Sequence, residues 1–145
     1  MPRVEIALPD RFPFATEIPV RIDDINYGGH LGNDRILSLA QEARCRLLAA
    51  HGWTELDVEG AGLIMVDAAV VYRAEGRHGM TLRVDVAPAD VRTRGLDFLY
   101  RMTDAASGGE IARAKTGLLF FDYRARRIVH MPEAFRRAVC EPDAP

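Results

Sequence analysis

Apolar positions recur at helical spacing in one extended stretch of this chain. Over residues 33–50, Ile36, Leu37, Ala40, Ala43, Leu47 and Leu48 fall on one face of a helix, and Arg35, Gln41, Glu42 and Arg46 on the other. Asn33 is a suitable N-cap with Asp34 behind it, and His51-Gly52 supplies a stop. The pattern predicts one continuous helix about 27 Å long, burying Ile36, Leu37, Ala40, Ala43 and Leu47. Residues 16–22 alternate loosely and read as a strand, with Pro19 suited to an edge. After Gly60 the period changes. Residues 62–74, 80–91, 96–103, 110–123 and 127–131 read as strands, and 132–139 as a short final helix with Pro132 in its first turn. The connections between the strands are short, which predicts antiparallel neighbours, because a parallel pair needs a long crossover. Residues 1–15 hold three prolines and read as an irregular lead-in; 141–145 read as a frayed tail.

One amphipathic helix cannot bury its apolar face alone. The economical arrangement is α+β: a curved antiparallel sheet of five or six strands wrapped around one long central helix. The 145 residues amount to a single domain, 1–145, large enough to bury a core without staples. Composition adds exclusions. Charged residues are 28% and the net charge is −2, which argues against a general nucleic-acid binder. All basic residues but Lys115 are arginine, a bias that carries no functional reading. Cys45 and Cys140 make no disulfide framework, and no Cys/His spacing suggests a metal. No apolar run reaches the ~18 residues of a membrane span, and no signal pattern opens the chain, so a cytoplasmic location is the expectation.

The densest polar cluster is Asp23, Asp24, Asn26, Tyr27, His30 and Asn33, interleaved with Gly28, Gly29 and Gly32, just before the helix. A helix N-terminus offers unpaired N–H groups and the positive end of the dipole, and glycines let a substrate approach the backbone. That combination suits a carbonyl oxygen that gains negative charge, with carboxylate, amide and imidazole beside it. The same residue types are also ordinary turn and cap chemistry. Elsewhere, Asp67 lies inside an apolar strand, where a charge needs a partner or a cleft. Glu42 and Arg46 are spaced for an i,i+4 ion pair. His51 is placed to cap the helix end, Trp53 to pack beneath it, and Cys45 has no base nearby. Arg73, Arg77, Arg124, Arg126 and Arg127 are either solvated loop residues or phosphate contacts.

The run Arg21-Ile22-Asp23-Asp24-Ile25-Asn26-Tyr27-Gly28-Gly29-His30-Leu31-Gly32-Asn33, followed by Gln41-Glu42-Ala43-Arg44, resembles the signature of hotdog-fold acyl-CoA thioesterases. It is similar to the 4-hydroxybenzoyl-CoA thioesterase-like branch, and Val71-Tyr72-Arg73 and the later strands follow in matching order. In the gapless match Arg21, Asp24, Gly29, His30, Asn33, Glu42, Ala43 and Arg44 agree. Asn26 stands where many members carry the catalytic aspartate, and Gly32 replaces an asparagine. Asparagine cannot serve as a base, though it can orient a water or donate to a carbonyl.

The resemblance implies hydrolysis of an acyl-CoA or acyl-carrier thioester. Asp24, Asn26 and His30 are the catalytic candidates: Asn26 and His30 orient the thioester or the water, and Asp24 is base or partner of His30. Tyr27, Gly28, Gly29, Gly32, Asn33, Glu42 and Asp67 are the substrate-binding candidates, and backbone N–H groups of the 28–33 loop bind the carbonyl. It further implies a homodimer or homotetramer with sites between subunits, and coenzyme A as part of the substrate rather than a cofactor. Two other readings stay open. Hotdog enoyl-thioester hydratases carry histidine five residues after an aspartate; here His30 falls six after Asp24. A non-catalytic acyl-CoA-binding module would account for Asn26.

Overall fold

A computed structural model describes residues 2–142 of the chain; of the tail read as frayed, 143–145 lie outside the described residues. Strand β1 (Phe14–Pro19) leads into a short 3-10 turn at Ile22–Asp24, a loop and helix α1 (Arg35–Ala50). Five strands follow: β2 (Gly62–Tyr72), β3 (Thr81–Ala89), β4 (Gly95–Asp104), β5 (Glu110–Asp122) and the two-residue β6 (Arg127–Ile128). A final helical segment has one α turn, α2 (Glu133–Phe135), and a π turn at Arg136–Cys140. The sheet order is β1-β3-β4-β5-β2, with β6 beside β5, and every pairing is antiparallel.

The six-stranded α+β sheet agrees with the sequence reading; the long helix does not. Helix α1 has 16 residues, about 24 Å, and begins at Arg35. Asn33 is not its cap: Arg35 N–H donates to Gly32 O at 3.0 Å, so residues 32–35 close a tight turn before the helix proper. The cap position is Asp34, whose side chain makes no capping bond. The buried face is Ile36, Leu39, Ala40, Ala43, Arg44, Leu47 and Leu48, with Leu37 only half-buried. At the other end the His51 N–H caps the Leu48 and Ala49 carbonyls, Gly52 takes φ +80°, and Trp53 stacks on His51 and packs tilted against Phe135.

Alternation along the strands puts Val84, Val86, Phe98, Tyr100, Met102, Ala112, Ala114, Thr116, Leu118 and Phe120 on the inner face, all buried against α1 or the C-terminal helix. Phe135 closes this core, edge-on to Phe120 at 5.0 Å. The outer face carries the other register rows: Asp67–Gly117–Asp97 and Val71–Arg113–Arg101–Asp85. Residues before β1 cross this face. Ile6 is buried, its carbonyl accepts from Arg113 at 3.0 Å, and the Phe12 ring sits 4.6 Å from the Arg101 guanidinium.

One connection departs from expectation. Strands β2 and β3 are not neighbours, because three strand spacings separate them in the sheet. At about 4.8 Å per spacing that is about 14 Å, well within the reach of the intervening residues 73–80 when extended. A short link therefore fits without adjacent pairing. It runs along the strand ends and passes the loop before α1, where Leu31 N–H donates to Gly76 O at 2.8 Å.

Candidate active site

The loop between β1 and α1 is built on its own hydrogen bonds. Asp24 Oδ2 accepts the Arg21 N–H at 2.9 Å and Asp24 O accepts the Gly32 N–H at 2.9 Å, which closes the base of the loop. Asn26 Oδ1 accepts the Gly28 N–H at 2.9 Å, and Asn26 O accepts the Gly29 N–H at 3.0 Å. Gly29 takes φ +85°, a conformation that disfavours a side chain. Gly28 matters for space: a Cβ there would lie 3.3 Å from His30 Nε2 and 3.4 Å from Asn26 Oδ1. Its absence lets the Asn26 amide and the His30 ring converge. A Cβ at Gly32 would lie 2.6 Å from Asp34 Oδ1, so a side chain at that position would need the exposed Asp34 carboxylate to swing aside.

A cavity of about 420 Å³ opens at the N-terminal end of α1, lined by Asn26, His30, Leu31, Asn33 and the Tyr72–Glu75 stretch. Its size falls in the usual range for small-molecule sites. The Tyr72 hydroxyl donates to Asn33 O at 3.0 Å and ties β2 to the loop. His30 Nδ1 lies 3.3 Å from Leu31 O, and since a carbonyl only accepts, Nδ1 carries the proton. The other ring nitrogen, Nε2, faces Glu75 Oε1 at 3.9 Å. Arg77 holds the second oxygen of Glu75 at 3.5 Å, and the Arg73 side chain, which also lines the cavity, is paired with Glu110 at 3.2 Å.

The expected oxyanion donors are fewer than the sequence suggests. The amides of Gly28, Gly29, Leu31 and Gly32 are already bonded within the fold. In the 28–33 span only those of His30 and Asn33 are left without an acceptor among the described residues.

The predicted site residues divide into groups. Asn26, His30 and Asn33 share the cavity, with Gly28, Gly29 and Gly32 shaping it. Asp24 does not: it is buried, capped onto Arg21, and lies with Glu42 on a different depression of about 280 Å³. Glu42 pairs with Arg46 at 2.9 Å, as the i,i+4 spacing predicted. Asp67 is on the outer face. It accepts from Lys115 at 2.6 Å, in the room left by Gly117, and that hydrogen bond holds its carboxyl below the usual range. Tyr27 is fully exposed at the loop tip. Arg124 and Arg126 lie in the turn between β5 and β6, and Arg127 begins β6. Burial raises the Cys45 and Cys140 thiols, the latter to about 11, so neither is an activated nucleophile. Among the described residues no cluster of three His, Cys, Asp or Glu is placed to hold a metal ion, and no helix is long and apolar enough to cross a membrane.

Sequence reasoning quoted Tyr72 only within the Val71-Tyr72-Arg73 match, with no site role, and missed Glu75. The local signal for Glu75 was a carboxylate beside a glycine in the link after β2. There, a Cβ on Gly76 would fall 2.9 Å from the Leu31 side chain, so close approach depends on glycine.

An antiparallel sheet packed on one principal helix, with a glycine-rich polar loop opening a cavity at that helix's N-terminus, is the hotdog arrangement. A family model described as the thioesterase-like superfamily matches residues 20–139, and the chain belongs to that family. Solved structures agree in fold. A 1,4-dihydroxy-2-naphthoyl-CoA thioesterase from Synechocystis superposes with a TM-score of 0.81 at 22% identity, covering 91% of this chain and 98% of that one. A hypothetical protein from Thermus thermophilus gives 0.77 at 25% identity, covering 88% and 97%. A thioesterase-superfamily protein from Jannaschia gives 0.80 at 17% identity, covering 90% and 82%. No curated protein matches the sequence.

Proposed function

We propose that the protein hydrolyses an acyl-CoA or acyl-carrier thioester to a free acid and a thiol. Family membership supports thioester hydrolysis as the class of reaction. The observation that carries the reading to this chain is the cavity at the start of α1, where Asn26, His30 and Asn33 converge. The thioester carbonyl oxygen points at the His30 and Asn33 amides, beside the positive end of α1. Asn26 Oδ1 is committed to Gly28, so its NH2 group is the part left to orient the acyl group. His30 presents Nε2 to the attacking water. Coenzyme A enters as part of the substrate and leaves as the thiol. The unit is a homodimer or a pair of dimers, with a second copy alongside the open edge of β2.

The experiment is turnover of an acyl-CoA panel, following free thiol and enoyl absorbance together. Thiol release without an enoyl signal is the expected result, and His30→Ala lowers kcat by ~10²-fold, the usual scale for losing an acid–base group. Enoyl absorbance without thiol would instead mean hydration chemistry. Tight binding with no turnover would mean a non-catalytic acyl-CoA module, the reading that Asn26 itself favours.

A further inference from the structure

The motif at the start of α1 lacks the carboxylate that the resemblance leads one to expect, and the fold supplies one from elsewhere. Each acidic candidate from the sequence is engaged away from the cavity: Asp24 on Arg21, Glu42 on Arg46 and Asp67 on Lys115. Among the described residues Glu75 is the only carboxylate lining the cavity. It is delivered by the link from β2 to β3, pinned where Leu31 N–H meets Gly76 O at 2.8 Å. Arg77 takes one carboxylate oxygen at 3.5 Å and leaves Oε1 facing His30.

We propose that Glu75 is the carboxylate partner of His30, and that the two side chains together hold the hydrolytic water. The assignment rests on the thioesterase reading above. A separation of 3.9 Å between Nε2 and Oε1 is too long for a direct hydrogen bond and suits one bridging water. With Nδ1–H donating to Leu31 O, Nε2 is the ring position open to accept, and Oε1 is an acceptor as well. The water therefore donates to both and turns a lone pair toward the thioester.

In the reaction the water oxygen forms a bond to the carbonyl carbon, and the C=O π pair moves onto oxygen, held by the His30 and Asn33 amides. Imidazole is ordinarily more basic than carboxylate, so the water's proton passes to His30 Nε2, and the Glu75 charge stabilises the imidazolium. Collapse of the adduct breaks the C–S bond. The sulfur leaves with the bonding pair and takes the proton from Nε2, so water and thioester become acid and thiol and both side chains are restored.

The test uses the full chain and an acyl-CoA that the wild type hydrolyses. Glu75→Gln should lower kcat by ~10²-fold with KM changed less than about threefold and an unchanged melting temperature, since Glu75 is more than half exposed. Two rescues separate a chemical role from a structural one. Added acetate or formate should restore part of kcat to Glu75→Ala. Asn26→Asp placed in the Glu75→Gln background should also recover turnover, because positions 26 and 75 open on the same cavity. A wild type active on the panel whose Glu75→Gln variant keeps kcat within threefold overturns the assignment and leaves the thioesterase reading intact. So does a Glu75→Gln loss that neither rescue repairs. A wild type inactive on every thioester overturns the thioesterase reading, and the assignment with it.

Discussion

Asp24 shows how a residue at a motif position can be engaged by the backbone. Its carboxylate accepts the Arg21 N–H and its carbonyl accepts the Gly32 N–H, so it holds the two ends of the loop that carries Asn26 and His30. Asparagine at this position keeps a side-chain oxygen for Arg21, and alanine does not. Asp24→Ala should therefore lower stability in urea denaturation by ~1 kcal/mol, the usual cost of a lost side-chain cap on a backbone N–H. Asp24→Asn should stay within about threefold of wild-type kcat. A loss of ~10² or more in Asp24→Asn, with stability unchanged, would return the base role to Asp24. At position 26 the side chain both accepts from the Gly28 N–H through Oδ1 and lines the cavity.

At the scale of elements, α1 was legible in its period but not in its whole buried face. Arg44 faces the core between Ala40 and Leu47, where an apolar count has no reason to place a cation. It is accommodated because Glu55 accepts from its Nε at 2.6 Å and the Tyr100 hydroxyl from its Nη1 at 3.0 Å, with the Thr116 hydroxyl 2.8 Å beyond. Burial alone would lower the guanidinium's affinity for its proton; Tyr100 and Glu55 reverse this and hold it charged. Removing one partner of a buried pair leaves a charge uncompensated, whereas replacing it by an apolar isostere removes the problem. Glu55→Ala should thus cost ~3 kcal/mol in urea denaturation and Arg44→Met clearly less; the opposite order would refute the account. The strands were equally legible, because alternation and turn residues are local. What sequence could not show is which strands lie side by side. The link after β2 is as short as a hairpin yet crosses the sheet, and that crossing alone brings Glu75 to His30. Asn26, His30 and Asn33 are close in sequence and could be read together; Tyr72 and Glu75 join them only through tertiary structure.

For the whole molecule, the two faces of the sheet have different fates, and its β2 edge is left open. The inner face is filled by α1 and Phe135, and the outer face is partly covered by residues before β1 through Ile6 and Phe12. The β2 edge has β5 on one side only, over 11 residues, and Met65 and Val66 are about half exposed along it (45% and 51%). Proteins that keep such an edge free protect it with lysine, proline or a short strand. Strand β2 has no lysine or proline, and its one charge, Asp67, is neutralised by Lys115. Two copies can therefore pair edge to edge and extend the sheet. Because β2 ends at Tyr72, the partner would come close to the cavity. Light scattering at micromolar concentration should give about twice the 16.1 kDa chain mass or a multiple of it. Val66→Lys places a charge on the edge and should shift the population toward monomer, with turnover falling in step if the neighbouring copy helps form the site. A wild-type monomer at that concentration would overturn the assembly, and a Val66→Lys monomer with full turnover would show that one chain holds the whole site.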